Sequence, residues 1–201
     1  MNAAALALYS VFAVAAFGWR TWVQWRRTGD TGLRLAATPG TVQWWAKLGF
    51  VAALAAGVAA PVAGLAGLDP LKLLDSDALR LAGTVITVAG IAATAAAQVQ
   101  MGTSWRIGVD PSERTGLVTT GIFSVVRNPI FTAMLITAAG FTLMVGNAVA
   151  VLGLAALIAA LEVQVRAVEE PYLRATHGPM FDRYAATTGR FIPTLGQRVR
   201  R

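Results

Sequence analysis

Residues 128–161 read NPIFTAMLITAAGFTLMVGNAVAVLGLAALIAAL, 34 positions without one ionisable side chain. A helix needs about 20 mostly apolar residues to cross a hydrocarbon core of roughly 30 Å. The stretch is too long for one crossing, and Gly146-Asn147 supplies turn residues near its middle. It reads as a helical hairpin, 130–145 and 148–165. Working outward, residues 81–105, 48–68 and 1–19 are likewise free of charged side chains. The N-terminal helix can run on to about residue 23. An N-terminal signal peptide would begin with a positive segment, whereas the first basic residue here is Arg20, so the helix is expected to be retained. The fold class is all-α: a polytopic helical membrane protein of about five transmembrane helices.

Composition agrees. Of 201 residues (21.0 kDa), 56% are hydrophobic and 13% charged, with a mean hydropathy of +0.58. Soluble domains carry about 25% charge. That excludes a soluble globular enzyme, a disordered chain and a nucleic-acid binder, despite the net charge of +7. With no cysteine and a single histidine, His177, disulfides, thiolate chemistry and histidine-rich metal clusters are excluded too, and no metal site is expected.

The positive charge is a topology signal. Arg20, Arg26, Arg27, Arg34 and Lys47 flank the first loop, Arg106, Arg114 and Arg127 the third, and seven arginines from Arg166 to Arg201 the tail. Five spans with the N-terminus outside put 15 of the 17 basic residues on the cytoplasmic side, as the positive-inside rule asks. Four spans would divide the basic segments between the two sides. Attraction to anionic membrane lipids is a secondary effect. Alanine and glycine within the spans, Gly57, Gly64, Gly83 and Gly90 among them, suit close helix packing. Trp19, Trp22, Trp25, Trp44 and Trp45 form an interfacial belt.

Chemistry concentrates in two inside segments. Thr119-Thr120-Gly121 forms a turn whose glycine lets backbone approach a ligand closely. Arg127-Asn128-Pro129 opens the fourth span, where a helix N-terminus suits an anionic group and Arg127 adds a forked carboxylate donor; the competing role is a snorkelling cap. Glu162, Arg166, Glu169 and Glu170 share one helical face, either as a solvated ion-pair ladder or as carboxylates for a sugar diol or cationic ligand. His177 precedes Gly178 as a helix cap. Tyr172 and Tyr184 are pocket walls or interfacial anchors.

These segments resemble the integral-membrane methyltransferase superfamily of isoprenylcysteine carboxyl methyltransferase and the phospholipid methyltransferases. The residues that carry the likeness are Leu117-Val-Thr-Thr-Gly-Ile-Phe123, Arg127-Asn-Pro-Ile-Phe131, the Glu169-Glu170 pair and the Gly178…Tyr184…Pro193 tail. The resemblance covers about 102–193. It divides the chain into residues 1–98, three helices without a signature, and residues 99–201, a catalytic half. It implies S-adenosyl-L-methionine as cofactor, held by loop three and the tail at Thr115, Gly116, Leu117, Val118, Gly121, Asn128, Pro129, Ile130 and Phe131, with Glu169 and Glu170 near its polar end. Phe123 is implied to face the acceptor, joined by Tyr172 and Arg166; Arg127, Glu169 and Glu170 are the candidate catalytic groups. Two positions depart from the family pattern: Asn128 stands where histidine is usual, and Phe131 where tyrosine is. Asparagine still donates and accepts but cannot titrate. The expected activity is methyl transfer to a lipophilic carboxylate, thiol or amine at the membrane. The alternatives are an NADPH-dependent reductase of the sterol-reductase type, and a non-catalytic scaffold.

Overall fold

The computed structural model describes residues 1–110 and 113–197; Arg198, Arg200 and Arg201 of the basic tail lie outside them. Five helices carry the architecture: α1 (Asn2–Thr28), α2 (Val42–Leu65), α3 (Asp77–Ser104), α4 (Pro129–Val145) and α5 (Ala148–His177), followed by a short α6 (Pro179–Thr187). Four of them are long and apolar enough to cross a membrane; α4, with 17 residues, is shorter. α1 and α5 extend well past the apolar runs expected for them. Each contains one π-helical turn, Val14–Trp19 and Gln164–Glu169.

Small residues set the packing. A Cβ on Gly83 would lie 2.6 Å from the Gly140 carbonyl oxygen, and one on Gly90 would lie 2.7 Å from the Thr137 nitrogen. α3 and α4 therefore pack backbone to backbone and run antiparallel. Gly49 against the Ala160 Cβ and Gly153 against the Ala56 Cβ bring α2 and α5 close, also antiparallel. The Tyr9 hydroxyl donates to the Leu54 carbonyl at 2.6 Å, and Asn2 meets Gly64, which sets α1 antiparallel to α2. This close approach lets helices associate where lipid gives no hydrophobic drive.

The hairpin turn is as expected and better anchored. Gly146 takes a left-handed φ of 75°. Asn147, 1% exposed, caps α5 by accepting from the Ala150 amide at 3.0 Å and donates to the Ala60 carbonyl at 2.7 Å. These pairings bring the N-terminus, the α2–α3 loop and the hairpin turn to one end of the bundle. The 29–41 loop, the 105–128 segment and the tail gather at the other, with the described basic residues of those segments.

Candidate functional site

At that basic end a cavity of about 750 Å³ opens into the bundle, within the roughly 300–1,000 Å³ typical of small-molecule pockets. Its polar wall comes from the two segments singled out in the sequence. Thr115, Gly116, Leu117, Val118, Phe123, Arg127, Asn128, Pro129, Ile130, Phe131, Glu169 and Glu170 all face it.

What joins those segments is a buried electrostatic clasp. Arg127 sits just before α4, where Pro129 starts the helix. Its Nη2 donates to Glu170 Oε1 at 2.9 Å and to the Gly196 carbonyl at 3.0 Å; its Nη1 donates to the carbonyls of Ala185, at 3.1 Å, and Thr188. Arg190 chelates the same carboxylate, Nε to Oε1 at 2.7 Å and Nη2 to Oε2 at 3.0 Å, and the pairing raises the Arg190 pKa. A planar fork that can satisfy several acceptors at once is the reason for arginine here.

Backbone contacts extend the seam. The Arg127 amide donates to the Gly189 carbonyl at 2.8 Å, the Asn128 amide and Nδ2 both donate to the Arg190 carbonyl at 3.1 Å, and Thr132 Oγ1 donates to the Phe191 carbonyl at 2.9 Å. The Tyr184 hydroxyl donates to the Phe123 carbonyl. Burial pushes that hydroxyl up to about 12, so it remains a donor at neutral pH.

Glu169 differs from its neighbour. It is half-buried on the cavity wall, and the hydrogen bond it accepts comes from the neutral amide of Gln164, at 3.2 Å. Among the described residues no cation pairs with it. The cations on the wall are engaged elsewhere: Arg127 as described, Arg106 with Glu113 at 2.7 Å, and Lys47 with the carbonyls of Arg34 and Ala36 at 2.7 and 2.8 Å. The cavity thus presents a carboxylate open to a donor-bearing or cationic ligand.

Three expected site residues stand off the cavity wall. Gly121, at φ 60°, makes room for Gln100: a Cβ there would lie 1.8 Å from Gln100 Nε2, while Gln100 Oε1 accepts from the Ile122 amide at 2.7 Å. The close approach foreseen for a ligand is made by a side chain of the protein. Tyr172 is not among the wall residues and donates to the Glu113 carbonyl at 2.7 Å, bracing the chain at Glu113. Arg166 is exposed and paired with Glu162, so this part of the acidic face is the ion-pair ladder.

Other wall residues escaped the sequence reading. Trp105 is 2% exposed, unlike the belt tryptophans; it lies under the Arg20 guanidinium at 4.7 Å and against Gly32. Leu33 pairs with Ile107 through backbone bonds of 2.8 and 2.9 Å, folding the first loop against the site. Arg34 braces this loop by pairing with Asp30 and Glu113, and its guanidinium holds the Asp30 carboxyl down to about 2. Phe17, Phe50, Val51 and Leu54 complete the wall from α1 and α2. Buried Trp105 and the glycine-rich Gly29–Gly32 stretch are signals only in hindsight, because pairing across 70 residues leaves no periodicity to read.

A polytopic helical membrane protein with a cavity at one end of the bundle is the class that the fold defines. The chain resembles the solved structure of the eukaryotic intramembrane Ras methyltransferase ICMT, isoprenylcysteine carboxyl methyltransferase, with a TM-score of 0.67 and 16% identity; the match covers 96% of this chain and 66% of that one. At that identity the likeness is one of fold. The chain belongs to the phospholipid methyltransferase family, whose model matches residues 78–179. No curated protein matches. The reductase and scaffold alternatives are accordingly not favoured.

Proposed function

We propose that this chain transfers a methyl group from S-adenosylmethionine to a lipophilic acceptor at the membrane, within the 750 Å³ cavity. The observation that carries this reading is the convergence of 115–118, 127–131 and the 169–170 pair on one wall. These residues fit the cofactor. Glu169, free of a cationic partner among the described residues, suits the ammonium end or a ribose diol. The rings of Phe123 and Phe131 give flat apolar faces, and backbone at 115–118 supplies groups for a polar rim.

S-adenosylmethionine supplies the electrophilic methyl group. The protein's part in such a displacement is chiefly to orient and to exclude water. Asn128, its amide held by the Arg190 carbonyl, does not titrate and serves as a fixed neutral group. Arg127 and Glu170, bonded to one another and to the tail, position the wall. A carboxylate, thiol or amine acceptor is compatible with this arrangement. The catalytic half is residues 99–201, and the tail is assigned to the cytoplasm by the positive-inside rule. The test is titration of purified protein with S-adenosylhomocysteine, followed by transfer of isotope-labelled methyl groups into a fractionated lipid extract. Saturable binding and a labelled lipid product are expected; no binding at millimolar ligand refutes the reading.

A further inference from the structure

We propose that the N-terminal part of the chain, outside the family match, selects the acceptor: its apolar tail lies between the π-helical turn of α1 and the facing side of α2. This rests on the methyltransferase reading above. Three observations support it. First, polarity along the cavity is segregated by position in the chain. The charged and amide groups Arg106, Arg127, Asn128, Gln164, Glu169 and Glu170 come from residues 98–184. The wall before residue 78 is apolar apart from Thr21 and Lys47, with Phe17, Phe50, Val51 and Leu54 among its residues. Lys47, the cation contributed by that part of the wall, is turned onto the carbonyls of Arg34 and Ala36.

Second, the wall is thin there. Gly18 and Val51 both line the cavity and are exposed, Val51 by 59%. α1 and α2 are bonded through Tyr9 and Leu54 at 2.6 Å, and Phe17 and Phe50 pack edge to face, ring centres 6.4 Å apart, so any opening lies beside that pair, at Gly18 and Val51. A Cβ on Gly18 would meet nothing within 4 Å, so the cavity wall has room at this point, where its lining residues are also exposed. Third, the π turn places Phe17 and Gly18 on this wall, and π turns of single length gather at functional sites. A tail seated between Gly18 and Val51 extends from the apolar surroundings toward Phe123 and Phe131, while the polar rim stays with the cofactor.

The test uses the full chain in bicelles. Val51→Trp narrows the gap without touching the polar wall. The expected result is a fall of at least tenfold in labelled methyl incorporation into lipid extract, with S-adenosylhomocysteine affinity within twofold of wild type. Val51→Cys, folded first and then alkylated with N-dodecylmaleimide in this cysteine-free protein, is expected to give the same split and guards against misfolding of the tryptophan variant. Wild-type turnover in the alkylated protein, or a parallel loss of S-adenosylhomocysteine binding, overturns the proposal. Failure of the unmodified wild type to bind S-adenosylhomocysteine overturns the cofactor reading itself, and this inference with it.

Discussion

Arg127 and Glu170, 43 positions apart, meet at 2.9 Å with only 3% of either side chain exposed. Their pair closes a loop that contains all of α4 and most of α5, and through Arg190 and the Gly196 carbonyl it holds the tail under the cavity. Isolated, either charge would be costly to bury; together, and with carbonyls taking the other N–H groups of the two terminal guanidinium nitrogens, they form a rigid floor.

Removing one partner leaves the other uncompensated, which costs about 3–5 kcal/mol for a buried pair. Glu170→Ala is therefore expected to lower the thermal midpoint in detergent sharply and to expose the tail to protease near 185–196. Arg127→Lys keeps the charge but loses the fork, and with it part of the bonding to Ala185, Thr188 and Gly196. It is expected to destabilise in the same way. An unchanged melting curve for both would mean that the clasp contributes nothing.

Glu169→Gln behaves differently. No ion pair is broken among the described residues, so the fold is expected to melt within a few degrees of wild type. A charge-assisted hydrogen bond is worth about 1.5–3 kcal/mol, so S-adenosylhomocysteine affinity should fall about tenfold or more by calorimetry. Equal affinity would remove this carboxylate from the site.

Gly83→Val places a branched side chain where a Cβ already comes within 2.6 Å of the Gly140 carbonyl and the Met144 nitrogen. Overpacking of this kind typically costs 1–3 kcal/mol, occasionally more; with backbone on both sides the upper part of that range is expected, read as lost expression and a lower thermal midpoint. Gly67→Ala, in open space but at φ 99°, is the milder comparison, limited to backbone strain.

The antiparallel pairings put Asn2 and Ser76 at one end of the bundle and Thr28 and Gln197 at the other. Single cysteines introduced there should be labelled in two groups by an impermeant thiol reagent on intact cells, the first pair from outside and the second only after lysis. External labelling at Gln197 would contradict the orientation assigned from the basic loops.

The helices were legible because a charge-free run is a local property, and Gly146-Asn147 broke the longest one at the residue where the turn forms. The pairing partners were not legible. That Asn147 would reach Ala60, or Arg20 lie over Trp105, depends on which helices adjoin, and alanine-rich faces look alike in sequence. The motif residues 115–118 and 127–131 were found together at the cavity, yet the share taken by Phe17, Leu33, Lys47 and Phe50 carried no motif. Glu169 and Glu170, adjacent in sequence, also looked equivalent. The positions of Arg127 and Arg190 separate a locked carboxylate from an open one.

The two π-helical turns bear on how this chain tolerates changes of length. An α-helix turns about 100° per residue, so deleting one residue from the middle of α1 or α5 would swing everything after it onto the wrong face. A π turn holds one residue more than an α turn, and a deletion within Val14–Trp19 or Gln164–Glu169 would relax that turn to regular helix with both flanks still in register. In most proteins insertions and deletions are absorbed in loops remote from the chemistry. Here the two long helices have their slack beside Gly18 and Glu169, so single-residue gaps in these helices are expected to fall at the cavity wall, changing its shape while sparing the bundle.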